Sequence, residues 1–276
     1  MPGASLINGV AGDLLSIEDR GLAYGDGLFE TIAVHNGRAQ LLDLHLQRLQ
    51  QSCLRLAIHL DRAALSLEIN DILKAAQPQG CDVLKIIITR QSGQRGYAYA
   101  DGTSNRLLQL KPNATNSAVL QEQGVRLRFC TTPLAVNPQL AGMKHLCRLE
   151  NVLARAEWHD EHIYEGLMLD TQGCVTEGVM SNIFLVKDGM LSTPHLDRCG
   201  VAGVMRECIL SQLAPKLQLV VSVDRLLLEH IHNADELFIC NSVIGIVPVT
   251  AVAAFNKTIG ETTRLLQQAM HDALYV

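Results

Sequence analysis

Short apolar segments separated by turn signals run along the whole chain and predict a large share of β-structure. Three dipeptides, Asn8-Gly9, Asn36-Gly37 and Asp188-Gly189, stand between β-type segments. Asn-Gly and Asp-Gly tolerate a positive φ at both central positions of a tight hairpin, so they indicate antiparallel sheet. Further strands are predicted where short segments are β-branched or apolar, at 83–89, 106–110, 125–131, 167–170, 237–241 and 245–250.

Apolar residues at helical spacing predict helices between these strands. Asp43 is expected to cap the first helix, whose apolar positions are Leu46, Leu49, Cys53 and Leu56. Four more helices are predicted at 65–75, 147–160, 203–213 and 262–274. Because the helices do not alternate regularly with the strands, the pattern is typical of an α+β protein and not of a doubly wound parallel sheet.

A length of 276 residues suits one large domain or two smaller ones, and either can bury a sizeable core. The segment 111–124 is polar and lies between two predicted strands, so we interpret it as a linker. The sequence therefore predicts an N-terminal α+β domain over 1–113 and a C-terminal domain over 114–276. Apolar residues make up 48% of the chain and charged residues 18%, which is typical of a folded globular protein.

The composition also indicates which binding partners and which cellular compartment to expect for this protein. The formal net charge is −5 and no basic run is present, which disfavours nucleic-acid binding. No apolar stretch reaches the roughly 18–20 residues that cross a bilayer, and the N-terminus lacks signal-peptide features, so no membrane association is predicted. The cysteines include no C-x-x-C pair and the histidines no H-x-x-x-H pair, so we expect reduced thiols in a cytoplasmic protein and no metal site.

Lysine is scarce in this chain, which narrows the search for a nucleophilic amine. Lys85 and Lys144 both have apolar sequence neighbours. A lysine is usually a solvated surface charge, whereas a lysine in an apolar setting has a depressed pKa and suits Schiff-base chemistry. The residues alone leave the choice between Lys85 and Lys144 open.

Two glycine-containing segments and one carboxylate are further candidates for chemistry. The Gly-Asp-Gly of segment 19–31 precedes a predicted strand and by itself indicates a turn. Segment 202–206 opens a predicted helix whose first N–H groups could face an anion, although most helix starts bind nothing. Glu177 is either a turn carboxylate or a partner that keeps a cationic ring nitrogen protonated.

Taken together, these segments resemble the signature motifs of the fold-type IV pyridoxal-phosphate enzymes. The family holds branched-chain aminotransferases, D-amino-acid aminotransferases and 4-amino-4-deoxychorismate lyases, and segments 95–97 and 141–154 look most similar to the lyases. The matching motifs follow the family's order along nearly the whole chain, at 19–31, 45–49, 176–184, 203–206 and 241–249. The resemblance implies the two-domain α+β fold of D-amino-acid aminotransferase, with a smaller N-terminal α/β sandwich domain and a larger C-terminal pseudo-barrel domain.

The resemblance also assigns roles around pyridoxal phosphate. Lys144, in the expected C-terminal domain, matches the Schiff-base lysine, and Glu177 matches the carboxylate that pairs with the pyridine nitrogen. Arg48 matches the arginine that holds the cofactor phosphate. A guanidinium suits a dianionic phosphate, and a carboxylate at the ring nitrogen lets the ring act as an electron sink.

Three further residues match the phosphate site on its other sides. Val204 and Met205 match two backbone N–H donors at a helix start, and Ser242 matches a hydroxyl contact from a later loop. Cys147 departs from the pattern, because many members have Asn three residues after the lysine. That departure affects a polar contact near the cofactor and leaves the role of Lys144 intact.

On this resemblance we expect a lyase of folate biosynthesis that converts 4-amino-4-deoxychorismate to 4-aminobenzoate and pyruvate, with Lys144 as general base. The substrate has two carboxylates, so Arg95 and then Arg90 are candidate contacts. A branched-chain or D-amino-acid aminotransferase is the alternative, whereas Lys144 and Glu177 disfavour a non-catalytic binding protein. The resemblance further implies a homodimer that acts on a small molecule.

Overall fold

The computed structural model describes residues 3–91, 96–99 and 102–275. The chain divides into two compact units. The first contains Met1–Ala114 and Met143–Cys147, and the second contains Thr115–Gly142 and Arg148–Val276. The segment that carries Lys144 is therefore grouped with the first unit, whereas the motif order along the chain placed it in a C-terminal domain.

Most of the first unit is one antiparallel sheet with helices. In chain order its elements are β1 Ala4–Ile7, β2 Val10–Ala11, α1 Arg20–Tyr24, β3 Gly27–His35, β4 Arg38–Ala39, α2 Leu42–Arg55, α3 Arg62–Ile72, β5 Cys81–Arg90 and β6 Ser104–Pro112. Within the described residues the sheet has six strands in the order β2-β1-β6-β5-β3-β4. Two of the predicted hairpin turns join neighbouring strands here, and at the second Asn36 and Gly37 have φ values of 49° and 76°.

One face of this sheet is buried under α2 and α3. Side chains alternate along β3, so Leu28, Ile32 and Val34 are all buried on the same face. Leu46 and Leu49 are among the buried residues of α2, as their helical spacing predicts. The expected cap was wrong by position, because α2 begins after Leu41 and Asp43 lies within its first turn. A carboxylate there still opposes the positive end of the helix dipole.

The second unit contains the remaining strands and helices. They are α4 Ser117–Gln123, β7 Val125–Phe129, α5 Leu149–Arg155, β8 Glu165–Leu169, β9 Val175–Gly178, β10 Asn182–Lys187, β11 Met190–Pro194, α6 Val204–Cys208, α7 Ala214–Lys216, β12 Val221–Asp224, α8 Leu228–Asn233, β13 Glu236–Asn241, β14 Gly245–Val252, β15 Phe255–Asn256 and α9 Glu261–Tyr275. A π-helical turn, Ile209–Leu213, joins α6 to α7 without a break.

The sheet of the second unit is mixed. Over the described residues its order is β12-β11-β10-β13-β14-β7-β8-β9, and β15 pairs with β14. Three neighbouring pairs, β11 with β12, β14 with β7 and β7 with β8, are parallel, and the others are antiparallel. The third predicted hairpin, at Asp188-Gly189, joins β10 to β11. The prediction of an α+β protein is confirmed by these two sheets.

The expected linker is only partly irregular. Its first residues extend β6 to Pro112, and its last turn is α4, which begins after Asn116. The Asn116 side chain accepts a hydrogen bond from the N–H of Val119 and so caps this short helix. In the described ranges no helix is long and apolar enough to span a membrane, and no group of three potential metal ligands occurs.

Candidate active site

Lys144 is held by backbone pairing with the start of β3. The N–H of Phe29 donates to the carbonyl of Lys144 at 2.9 Å, and the N–H of Leu146 donates to the carbonyl of Gly27 at 3.0 Å. A Cβ on Gly27 would overlap the backbone oxygen of Ile88 on β5, so the close approach of the two strands at this residue requires glycine. Gly27, whose motif taken alone indicates a turn, thus helps to hold the lysine segment through its backbone carbonyl.

The structure separates the two lysine candidates. Lys144 is half-buried, and its Nζ lies 4.3 Å from the centroid of the Phe29 ring. Lys85 is exposed on the outward-facing side of β5, with its Nζ 5.6 Å from the same centroid. Because alternation along β5 turns Lys85 to solvent, Lys144 is the lysine in the more apolar environment.

Cys147 ends the segment that carries Lys144. Its thiol is exposed, and Sγ lies 3.8 Å from the carbonyl oxygens of Tyr24 and Gly25. Gly25 has a φ of 67°, and a Cβ there would lie 2.5 Å from Cys147 Sγ. The residue that departs from the family pattern thus packs against the end of α1.

Arg48 shares a buried carboxylate with a histidine that the sequence analysis gave no role. Arg48 donates from Nε to Glu30 Oε1 at 2.9 Å and from Nη2 to Glu30 Oε2. His45 Nδ1 lies 2.6 Å from Glu30 Oε2, and both of these side chains are almost fully buried. A charged residue at a buried position of an otherwise apolar strand face was the available signal for Glu30, and the three-residue spacing from His45 to Arg48 supports it.

Of the two arginines predicted to contact the substrate, the structure describes only Arg90. Arg95 lies outside the described residues. Arg90 is buried, and it donates to Asp26 Oδ2 at 2.9 Å and to the carbonyls of Leu56 and Ala57 at 2.7 Å each. Three of its five N–H donors are engaged within the fold, which is the arrangement of a structural arginine.

Asp26 also binds Arg20, a residue of the first glycine segment that sequence reasoning missed. Arg20 donates from Nε to Asp26 at 2.9 Å. Its remaining nitrogens donate to the carbonyls of Gly96, Tyr97 and Ala98 at 2.9 to 3.4 Å. One guanidinium therefore holds three consecutive carbonyl groups just after position 95.

Glu177 lies in β9 of the second unit and is buried. Its Oε2 accepts a hydrogen bond from the N–H of Val201 at 2.8 Å and a longer one from Asn182 Nδ2 at 3.5 Å. The same Asn182 nitrogen donates to the Val201 carbonyl at 2.9 Å. The Val201 N–H therefore orients the Glu177 carboxylate, and Asn182, which belonged to a sequence motif without an assigned role, contacts both the carboxylate and Val201.

Val204 and Met205 form the buried first turn of α6. Gly203 is the N-cap residue, and a glycine has no side chain with which to cap the helix start. A Cβ on Gly203 would overlap Asn182 Oδ1, so only glycine allows this approach. Asn182 therefore links the Glu177 carboxylate to the turn that carries the two candidate N–H donors.

Ser242 follows β13 in a tight turn and is half-buried. The side chain of Asn241 organises this turn, because its Oδ1 accepts from the N–H groups of Val243 and Ile244 at 2.9 Å each. Its Nδ2 donates to the carbonyl of Met180 at 3.2 Å. These hydrogen bonds hold the backbone of the turn that carries Ser242 within the second unit.

A second buried carboxylate, Glu165, supports the turn after Glu177. It accepts from Ser181 Oγ at 2.7 Å and from the N–H of Met180 at 2.9 Å. Burial raises the pKa of Glu165 to about 7 against these hydrogen bonds, and the nearby charge of Glu177 adds to the increase. Glu165 therefore takes up a proton in the folded protein more readily than in the unfolded chain.

We expect Glu165→Gln to remove a pH dependence of stability. The folded state binds the Glu165 proton more tightly than the unfolded chain does. The stabilisation that this proton gives the folded state is fully present below about pH 4.5 and is lost as pH rises through about 7. The free energy of unfolding of the unsubstituted protein should therefore fall relative to the variant by on the order of 3 kcal/mol over this range. Urea denaturation of both proteins between about pH 5 and about pH 8 measures the difference, and a constant difference would contradict the assignment.

The chain is similar to known proteins along nearly its whole length. The model of the family described as amino-transferase class IV matches residues 27–252. The aminodeoxychorismate lyase of Vibrio harveyi is 34% identical over 95% of this chain and 97% of its own length. A D-alanine aminotransferase of Bacillus licheniformis is 26% identical over 94% of this chain and 92% of its own length.

Solved structures extend the same similarity. The crystal structure of 4-amino-4-deoxychorismate lyase from Pseudomonas aeruginosa is 47% identical and superposes with a TM-score of 0.93. That similarity covers 99% of this chain and 100% of the other. A branched-chain aminotransferase from Escherichia coli superposes with a TM-score of 0.86 at 22% identity, which is a similarity of fold.

Proposed function

Because the chain belongs to the class IV aminotransferase family, we propose that it is a pyridoxal-phosphate-dependent lyase that converts 4-amino-4-deoxychorismate to 4-aminobenzoate and pyruvate. The fold expected from the sequence motifs is the fold of this family. The observation that carries the proposal is 47% identity to a solved 4-amino-4-deoxychorismate lyase over 99% of the chain. The D-alanine aminotransferase is 26% identical, so the lyase is favoured over an aminotransferase. This reaction places the protein in folate biosynthesis.

The residues of each unit fit pyridoxal phosphate. In the first unit, Lys144 offers an amine for covalent attachment of an aldehyde, and Arg48 offers a guanidinium for a phosphate. In the second unit, Glu177 offers a buried carboxylate for a pyridine N–H. Val204 and Met205 offer backbone N–H groups at a helix start whose N-cap residue, Gly203, has no capping side chain.

Ser242 completes this set of proposed cofactor ligands. Its hydroxyl can donate to a phosphate oxygen, and the turn made by Asn241 holds its backbone. Gly203 supports the same purpose, because any larger residue there would collide with the side chain of Asn182, which contacts the Glu177 carboxylate. The donors are therefore a guanidinium, backbone amides and a hydroxyl, which together suit a dianion.

Two side chains handle protons in the proposed reaction. When bound, pyridoxal phosphate withdraws electrons from the substrate carbon that bears the amine, and this acidifies the proton on that carbon. Lys144 Nζ, with its amine unprotonated, accepts this proton as general base. The Glu177 carboxylate accepts a hydrogen bond from the N–H of the ring nitrogen and so keeps that nitrogen protonated.

The proposed conversion balances without a second substrate. The ring carbon that bears the amine loses a proton, and the bond between the ring and the enolpyruvyl oxygen breaks. The departing three-carbon unit gains a proton and leaves as pyruvate, while the remaining ring becomes aromatic 4-aminobenzoate. Because aromatisation favours the products strongly, the single base Lys144 is sufficient and no amino acceptor is consumed.

Arg95 is our proposal for the contact with the substrate carboxylates. Arg20 supports it indirectly, since its guanidinium holds the carbonyls of the three residues that follow position 95. Arg90 was the second candidate for this contact, and its bonds to Asp26 and to two carbonyl groups favour a role in holding the fold.

We also propose a homodimer in the cytoplasm. On α5 the side chains of Leu149, Val152 and Leu153 are more than 60% exposed, and this apolar surface supports association with a second copy. All eight cysteines of the sequence lie in the described ranges as thiols, in keeping with a reducing compartment. Light scattering that gives the mass of a single chain would contradict the dimer.

A product assay tests the proposed function. Purified protein loaded with pyridoxal phosphate is incubated with 4-amino-4-deoxychorismate in the absence of any 2-oxo acid, and pyruvate and 4-aminobenzoate are measured. We expect equal amounts of both products. Turnover that requires a 2-oxo acid would identify an aminotransferase instead, and protein that takes up no pyridoxal phosphate would overturn both functions.

A further inference from the structure

We infer that Glu30 and His45 are positioning residues that hold the Arg48 guanidinium in the orientation required to bind the cofactor phosphate. The inference rests on the proposed function, in which Arg48 is the phosphate ligand. Neither Glu30 nor His45 is assigned a contact with the cofactor or the substrate. Their effect on cofactor binding is expected to pass through Arg48.

The geometry of the three side chains supports this role. His45 and Arg48 lie one turn apart on α2 and therefore project from the same side of the helix. Both reach Glu30, which lies on the buried face of β3. Arg48 uses Nε and Nη2 for this contact, so the carboxylate fixes both the position and the plane of the guanidinium.

The charge states follow from burial and from the neighbouring groups. Burial alone would raise the pKa of Glu30, but the charge of Arg48 and the hydrogen bonds from His45 and Arg48 outweigh it and lower the pKa to about 2. Burial lowers the pKa of His45 and, together with the charge of Arg48, outweighs the hydrogen bond and the negative charge of Glu30, which act in the opposite direction. At neutral pH the cluster is therefore an ionised Glu30, a neutral His45 and a charged Arg48.

The hydrogen-bond roles of His45 follow from this charge state. A carboxylate can only accept, so His45 donates from Nδ1 and its Nε2 carries the lone pair. Within the described residues Nε2 is buried and has no hydrogen-bond partner. The imidazole thus serves Glu30 as a neutral donor, and it leaves the net charge of the cluster at zero.

Preorganisation is the physical reason for such a cluster. An arginine side chain has many rotamers, and ordering them when a ligand binds weakens the affinity. A buried carboxylate is stable only when it is paired, so Glu30 in turn needs both Arg48 and His45. The cluster therefore orders Arg48 before any phosphate arrives.

The sign of one measurement separates positioning from simple electrostatics. Glu30 is negative, and if its charge alone acted on a bound phosphate, removing that charge would strengthen phosphate binding. If Glu30 acts by holding Arg48, its removal weakens phosphate binding. Glu30→Gln keeps the size of the side chain and removes the charge, so it distinguishes these two outcomes.

The experiment titrates apoprotein with pyridoxal phosphate and, separately, with pyridoxal, which lacks the phosphate. For Glu30→Gln we expect the affinity for pyridoxal phosphate to fall roughly tenfold or more, while the affinity for pyridoxal stays within about twofold. Arg48→Lys should give the same pattern, since a lysine cannot make the paired contact with a carboxylate. In the double variant, Glu30→Gln should add little to Arg48→Lys.

His45 gives a matched pair of variants. His45→Asn keeps an N–H donor near the place of Nδ1, whereas His45→Leu removes the donor. We expect His45→Leu to weaken pyridoxal phosphate binding more than His45→Asn does, with pyridoxal again little affected. Equal losses for both ligands in every variant would indicate general damage to the fold and would overturn the inference.

The outcomes also separate this inference from the proposed function. If Arg48→Lys binds both ligands as the unsubstituted protein does, the phosphate role of Arg48 fails. If Arg48→Lys weakens pyridoxal phosphate binding selectively and Glu30→Gln leaves it unchanged or strengthens it, only the positioning role fails.

Discussion

Lys144→Ala is expected to lower kcat of the lyase reaction by roughly 10³-fold or more, because the variant loses its general base. The variant should also lose covalent attachment of the cofactor, since the amine that would form the bond is absent. Stopped assays of pyruvate release measure the first effect. Mass spectrometry after borohydride reduction measures the second, because the cofactor mass should be found on the peptide that contains Lys144 in the unsubstituted protein only.

Lys85→Ala is the matched control for this prediction. Lys85 is the other lysine candidate that the sequence left open. It lies near the same Phe29 ring, but its side chain is exposed. We expect its variant to retain kcat within about twofold and to keep the borohydride label. A large loss in Lys85→Ala together with normal turnover in Lys144→Ala would contradict the assignment of the base.

Glu177→Gln is expected to lower kcat roughly a hundredfold, as the loss of one oriented electrostatic partner in an active site commonly does. Gln keeps an oxygen that can accept from the N–H of Val201, so the local backbone contact is retained. What the variant lacks is the negative charge that favours a proton on the ring nitrogen. Steady-state kinetics and the absorbance maximum of the bound cofactor should both change.

Glu177→Asp separates charge from reach. It keeps the carboxylate but shortens the side chain by one methylene, so part of the activity should be retained if the charge is the main factor. Thermal unfolding of both variants checks that β9 and its neighbours still fold. A kcat within about threefold of the unsubstituted value in Glu177→Gln would contradict the proposed role.

Local elements of the fold could be predicted well because their signals are local. The Asn-Gly and Asp-Gly dipeptides indicated hairpins, and each lies in a tight turn with positive φ at both residues. The strand at 83–89 is confirmed within β5, and the helix at 262–274 is confirmed within α9. The start of α2 was misplaced, because the N-cap residue is Leu41, which has a φ of 51° and an apolar side chain that cannot cap the helix.

Interactions between distant residues could not be predicted. Glu30 and His45 both lie inside recognised motifs. Nothing in those motifs indicates that β3 and α2 bring His45 and Arg48 to the carboxylate of Glu30. Arg90 was predicted to contact the substrate because arginines bind carboxylates. In the structure it donates hydrogen bonds to Asp26 and to two backbone carbonyl groups. Such pairings depend on packing between elements, which no local pattern encodes.

The order of motifs along the chain by itself determined the family, the candidate cofactor and the residues proposed to bind it, because those motifs are contiguous stretches with specific residue types. Only the tertiary structure decided the environment of each residue. It turned Lys85 to solvent through strand alternation, and it drew the Lys144 segment to the first residues of β3 through backbone hydrogen bonds. A residue type specifies which chemistry is possible, whereas burial and hydrogen-bond partners, which the fold supplies, determine which lysine or arginine is in a position to perform it.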